Sequence, residues 1–216
     1  MARTYVSSRN YVFDWTVQYE ANELPEDATL AWTNSYSPNP LVASTLEINP
    51  AGILHALSAS GEIMNWNISA SFSSSTGGTV EFRMKVLTGT LISSSSASPS
   101  IFFEDESYSY ALNIYADGIV NDNTLETIYL MDTTNDYHIY RFTGQNGTGA
   151  LYVDGIFRGN FASDSPSQTQ VLEFSASNSN ASTEQNWDYV YYSTDGAFMP
   201  KSYVNSRDYE SGRSYV

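Results

Sequence analysis

Tyr137-His138-Ile139-Tyr140-Arg141-Phe142, then Gly144-Gln145-Asn146-Gly147-Thr148-Gly149, then Leu151-Tyr152-Val153-Asp154-Gly155 is the stretch whose reading decides the fold. The first run alternates, with His138, Tyr140 and Phe142 on one side and Tyr137, Ile139 and Arg141 on the other. The third run sets Leu151 and Val153 against Tyr152 and Asp154. Turn-forming residues lie between them, so the pair reads as a β-hairpin with a connection longer than two residues. Asp154-Gly155 turns the chain again, into Ile156-Phe157-Arg158-Gly159.

The same two-residue period recurs on both sides. Residues 13–20 place Phe13, Trp15 and Val17 on one face. Between 66 and 72, Trp66, Ile68, Ala70 and Phe72 share a face. Val80, Phe82, Met84 and Val86 point to a core, while Glu81, Arg83 and Lys85 point to water. Further strands are expected over 42–48, 53–57, 101–103, 108–115, 119–120, 125–131, 171–174 and 187–192, and residues 88–100 read as a Ser-rich loop. No window shows apolar residues at helical spacing over three turns. The chain has 17 tyrosines and abundant Ser, Thr and Asn, a composition that suits strands and turns. About a dozen short strands in 216 residues form one sandwich of two packed antiparallel sheets.

The ends carry a different pattern. Arg3 and Tyr5, Arg9 and Tyr11, Lys201 and Tyr203, Arg207 and Tyr209, and Arg213 and Tyr215 repeat a basic-x-Tyr unit every six residues. Six is even, so in an extended chain all the basic residues and tyrosines fall on one side. The expected organisation is an N-terminal arm over 1–12, a body over 13–200 and a C-terminal arm over 201–216. The arms hold five basic and two acidic residues, a net of +3. The body holds four basic and 22 acidic residues, a net of −18. An acidic body disfavours nucleic acid and anionic membrane as partners. It favours contact between the arms and this chain or neighbouring subunits, through Tyr stacking and Arg–carboxylate pairs.

With no cysteine there is no disulfide framework and no thiol nucleophile. The first residues show no apolar run of signal-peptide length, and no stretch is long and apolar enough to insert in a membrane.

Taken together, the runs Thr79–Val86, Tyr137–Arg141, Leu151–Gly155 and Trp187–Val190 resemble the laminin-G-like branch of the concanavalin A-like lectin and glucanase jelly rolls, over roughly 13–200. The resemblance implies an all-β jelly-roll sandwich. It leaves function open, because this fold hosts lectins, adhesive modules, glycosidases, polysaccharide lyases and virion proteins. Glycosidases of the fold carry acidic residues at alternate positions of one strand. The nearest counterpart, Glu104-Asp105-Glu106 followed by Tyr108, reads as a solvated turn. Lyases of the fold use an Arg-bearing strand with a His and a Tyr. Arg83, His138, Tyr108 and Tyr110 are present, but outside the matching motif. The only histidines are His55 and His138, and His138 reads as a satisfied sheet histidine. No zinc spacing occurs. The resemblance also implies one calcium ion, for which Asp14 with Asp188, or Asp117 with Asp122, are candidate ligands. No other cofactor is expected.

For sugar binding, an exposed aromatic platform beside amide groups is needed. Trp32 with Asn34 and Tyr36 in a loop, and Tyr108 with Tyr110, are the candidates, against the alternative that Trp15, Trp66 and Trp187, and Trp32 with them, fill the core. No catalytic residue is assigned. The expected function is a non-catalytic, lectin-like structural or adhesive protein on a virion or extracellular surface assembly, such as phage decoration or tail protein. Its arms fasten it to neighbours. A free carbohydrate-binding module is the second reading and a glycan-cleaving enzyme the third.

Overall fold

The computed structural model describes residues 15–30, 32–94, 98–166, 170–176 and 181–200. The arm residues Arg3, Tyr5, Arg9, Tyr11, Lys201, Tyr203, Arg207, Tyr209, Arg213 and Tyr215 therefore lie outside the described residues, as does Asp14. Among the described residues there are fifteen strands and two short 3-10 turns, Pro25–Asp27 and Ile92–Ser94. No helix among them is long and apolar enough to cross a membrane.

Two antiparallel sheets form a jelly-roll sandwich. The first strands are β1 (Val17–Tyr19), β2 (Thr33–Ser37), β3 (Thr45–Ile48), β4 (Leu54–Ser58), β5 (Ile63–Ser69) and β6 (Gly78–Thr88). They continue as β7 (Ser100–Glu104), β8 (Ser109–Tyr115), β9 (Gly118–Asn121), β10 (Thr127–Leu130) and β11 (His138–Gln145). The last are β12 (Thr148–Val153), β13 (Ile156–Ala162), β14 (Val171–Ser175) and β15 (Thr183–Ser193). One sheet has eight strands in the order β13-β12-β11-β6-β15-β4-β3, with β1 also paired to β15. The other has seven, in the order β10-β9-β8-β7-β14-β5-β2.

The alternation expected of the central strands is the one observed. Val80, Phe82, Met84 and Val86 are fully buried, as are Tyr140, Phe142 and Leu151, with Val153 nearly so. The space between the sheets is filled by rings. Trp66 and Phe174 lie 5.0 Å apart between centroids, Phe174 and Trp187 5.1 Å, and Phe82 and Tyr140 are stacked at 5.0 Å. Tilted and edge-on pairs of this kind add about 0.5–1.5 kcal/mol each beyond their buried area.

Three expectations are corrected. The central hairpin does not have a long connection. β11 and β12 pair from Tyr140–Val153 through Gly144–Gly149 to Gln145–Thr148, which leaves only Asn146-Gly147 as the turn. Both turn residues have positive φ, 48° and 81°, matching the twist of a two-residue hairpin. The flanking glycines are strand residues because rings cover them: a Cβ on Gly144 would stand 2.6 Å from the Tyr110 ring, and one on Gly149 closer still to Phe161. Second, Trp15 does not share the inward face of Val17. The backbone bends at Thr16, outside β1. The Trp15 ring comes to 5.7 Å from that of Tyr191, on the outer side of the eight-stranded sheet. Third, residues 33–37 are an edge strand rather than a loop, paired in register with β5.

Candidate functional site

The residues singled out for sugar binding are placed as follows. Trp32 is 2% exposed, edge-on to Phe174 at 5.0 Å, and belongs to the core. Tyr36 packs edge-on against Trp66. Its hydroxyl accepts from Trp66 Nε1 at 3.2 Å and donates to Glu26 Oε1 at 2.9 Å, and Asn34 Nδ2 donates to the same oxygen at 3.4 Å. Burial pushes the Tyr36 hydroxyl up to about 12. These three form a link between the edge strand and the 25–27 turn. Tyr110 is fully buried, its hydroxyl accepting from Gly147 N at 3.0 Å, and Tyr108 lies half-buried beside it. The two tyrosines brace the Asn146-Gly147 turn.

The acidic turn is likewise structural. Asp105 Oδ1 accepts from Ser107 N and Tyr108 N, both at 2.7 Å. The Glu106 carboxylate accepts from the backbone and hydroxyl of Ser74. His138 is held at both ring nitrogens, by Asp154 Oδ2 at 2.8 Å and Asn135 Oδ1 at 2.9 Å. His55 contacts Glu184 at 2.9 Å and Glu47 at 3.5 Å.

Of the calcium candidates, Asp14 lies outside the described residues, and the others have hydrogen-bond partners of their own. Asp188 is bound by the Arg83 guanidinium at 2.5 Å, Asp117 Oδ1 accepts from Ile92 N, and Asp122 Oδ1 accepts from Asn113 Nδ2. A carboxylate already facing a guanidinium is a poor cation ligand. Among the described residues, no three His, Cys, Asp or Glu side chains gather as a metal site would require.

A different group does come together, on the outer face of the seven-stranded sheet. Because Trp66, Phe174, Ile101 and Leu112 point inward, their strand neighbours point out. Cross-strand register then builds two rows. One runs Thr33, Asn67, Glu173, Phe102, Ala111; the other runs Ser35, Asn65, Ser175, Ser100, Asn113. The rows are rich in amides and hydroxyls, and Phe102 supplies the single aromatic ring. Asn65 Oδ1 is buried without a hydrogen-bond partner. Ser100 and Ser175 share a hydrogen bond of 2.7 Å. Glu173 is half-buried, and burial together with the charge of Glu104 pushes its carboxyl up to about 7. An open depression of about 430 Å³ adjoins the rows at the β2 edge, sharing Thr33 and Asn67 and lined also by Val17, Leu30, Ile68 and Tyr192. The arrangement offers an aromatic surface, several groups that both donate and accept, and an acid that changes protonation near neutrality.

Reasoning along the sequence missed this face. Its members come from β2, β5, β7, β8 and β14 and are joined only by the order of strands. The available signal was the polar alternate positions, such as Asn65 and Asn67 flanking Trp66.

No family model and no curated protein matches this chain. Solved structures do. The binding domain of botulinum neurotoxin DC, in complex with rat synaptotagmin II, superposes with a TM-score of 0.57 at 10% identity, over 87% of this chain and 49% of that one. This chain thus spans about half the length of that domain. A structure described with the endo-acting O-glycanases that human gut microbiota express to initiate mucin breakdown gives 0.54 at 9% identity, over 83% and 98%. A carbohydrate esterase from the Shiga toxin-encoding bacteriophage phi24B gives 0.52 at 14%, over 83% and 97%. At such identities the likeness is one of fold, a two-sheet β-sandwich.

Proposed function

We propose that this protein is a non-catalytic, lectin-like module of a larger assembly, a virion or surface filament, which binds glycans on the outer face of its seven-stranded sheet. The observation that carries the reading is the convergence of Asn65, Asn67, Glu173 and Phe102 beside an open depression. A pyranose has an apolar C–H face and a rim of hydroxyls that donate and accept at once. Phe102 meets the first need, and the amides and the Glu173 carboxyl meet the second. The net charge of −15 and the Glu173 carboxyl, with Glu104 beside it, favour neutral sugars over polyuronates or sulfated chains. Two of the similar folds are described by their action on carbohydrate, which lends support. The terminal repeats are the fastening elements of the assembly in this reading.

The test is a neutral-glycan array followed by calorimetry on the hits. Phe102→Ala and Asn67→Ala are each expected to weaken binding about tenfold, roughly 1.4 kcal/mol, with the fold intact by circular dichroism. Binding unchanged in both variants, or no neutral glycan retained at all, would sink the proposal.

A hydrolytic reading has one observation in its favour: Glu104 and Glu173 lie on paired strands, and the second carboxyl is shifted toward neutrality. A product assay over a polysaccharide panel separates the two. Turnover that is lost in Glu173→Gln would make the protein an acid–base enzyme.

A further inference from the structure

Glu104 is not among the groups offered to a sugar, yet it stands beside one that is. β14 and β7 pair Val171 with Glu104 and Glu173 with Phe102, so the two carboxyl groups are diagonal neighbours on the outer face of the seven-stranded sheet. Diagonal neighbours have Cβ atoms no more than about 7–8 Å apart, within reach of long side chains. Glu104 is 1% exposed, whereas Glu173 is half-buried and open to the face. The strands on either side of β14 present Asn65, Asn67 and Ser69 from β5, and Ser100, Phe102 and Glu104 from β7. Glu104 is the one charged group of these six. Farther along the face lie two more acids, Asp164, bridged to Ser109, and Asp122, whose N–H donates to the Ala111 carbonyl.

Positive charge belongs to the other sheet. Among the described residues the basic side chains are Arg83, Lys85, Arg141, Arg158, His55 and His138, and all of them are on its strands. No cation beside Glu173 therefore offsets two ionised carboxylates on a surface that is half dry. Holding a proton relieves that cost: burial, and then the charge of Glu104, push the Glu173 carboxyl up to about 7.

Protonation changes what the face can do. A carboxylate only accepts hydrogen bonds, while a carboxylic acid also donates one. A sugar hydroxyl can partner either form, so hydration decides between them. A sugar seated over Phe102 and Asn67 strips water from Glu173. Stripping it from an ionised group with a second charge alongside costs far more than stripping it from a neutral acid.

We propose that Glu104 is a positioning residue of the glycan site, acting through Glu173: the face takes a neutral sugar while Glu173 is a carboxylic acid and releases it once both groups are carboxylates. The inference rests on the glycan reading of this face and adds its regulation. Only the protonated fraction is competent to bind. One pH unit above the midpoint that fraction is about one tenth, so the dissociation constant rises about tenfold between pH 5.5 and pH 8.

The test is calorimetry on the full-length protein at pH 5.5, 7 and 8 with soluble neutral oligosaccharides of the cello, xylo, manno, galacto and chito series. The wild type is expected to lose about tenfold in affinity across that range. Glu104→Gln, with its fold checked by circular dichroism, is expected to move the loss to lower pH, because the neighbouring charge that retains the proton is gone. A Glu104 that served the fold alone would weaken binding equally at every pH. Glu173→Gln cannot ionise and is expected to show one affinity at all three pH values, which keeps the test decisive should Glu104→Gln fail to fold. Equal wild-type affinity at pH 5.5 and pH 8, a midpoint that Glu104→Gln leaves in place, or a pH dependence that survives in Glu173→Gln overturns this inference and leaves the glycan reading standing. No binding of any of these sugars at any pH overturns both.

Discussion

Two carboxylates show how differently the same residue type behaves on the two outer faces. Glu81 is almost fully enclosed and satisfied by Arg141 and Tyr189. Removing one partner leaves a buried charge, so Glu81→Gln is expected to cost about 3–5 kcal/mol in urea unfolding. The double variant Glu81→Leu with Arg141→Met should recover most of that loss. If the double variant is no better than the single, the pair is not the buried unit described above. Among the described residues Glu173 has no such partner, and its carboxyl is raised to about 7 by burial and by Glu104. A raised carboxyl pKa means that the folded state holds the proton more tightly than the unfolded chain. Its contribution is fully present below the unfolded value near 4.3 and is lost as pH rises through about 7. Allowing for solvent screening of a half-exposed group, the loss is on the order of 1–2 kcal/mol. Glu173→Gln should therefore melt higher than the wild type at pH 8 and show a flatter melting curve against pH between 4.5 and 7.5. Equal slopes in the two proteins would refute the assignment.

At the level of elements, the β11–β12 hairpin shows why a turn cannot be read from composition alone. Six polar and glycine residues between two alternating runs suggest a wide loop, yet only Asn146-Gly147 turns. Gly144 and Gly149 are cross-strand partners whose missing side chains make room for Tyr110 and Phe161 from elsewhere in the fold. Gly149→Ala should thus behave as an overpacking substitution, losing about 1–3 kcal/mol in chemical denaturation. A loss of a few tenths would mean that the Phe161 ring moves aside freely. The same lesson holds for Thr33–Ser37. Its residues carry little β-branched or aromatic signal, and the strand exists because β5 offers it a paired edge and Trp66 offers Tyr36 a partner.

For the whole molecule, the last strand is the keystone. β15 pairs with β6 along one side and with β4 and β1 along the other, so it joins the two halves of the eight-stranded sheet. It also supplies Trp187, Val190 and Tyr192 to the core. A chain that ends after Ala181 is expected to lack cooperative unfolding and to bind a hydrophobic dye, as measured by melting and dye fluorescence. A sharp melting transition in that truncation would contradict the role given to β15. Because the partners of β15 are distant in sequence, folding should be slow, in the millisecond-to-second range or beyond.

The period-two alternation of Val80, Phe82, Met84 and Val86, of Tyr140 and Phe142, and of Leu151 and Val153 was sufficient to establish an all-β, two-layer body and to say which side of those strands is dry. That information is local, since a pleated strand sorts side chains by parity alone. The Asp154-Gly155 turn was legible for the same reason. What the tertiary structure decided is which outward residues become neighbours. Asn65 and Asn67, Phe102, and Glu173 are separated by scores of residues and meet only because β5, β14 and β7 lie side by side. The inward packing of Trp32 and the outward fold of Trp15 were decided there too. Both indoles suit a core by composition, but a bend at Thr16 and a paired edge at β2 place one outside and one within.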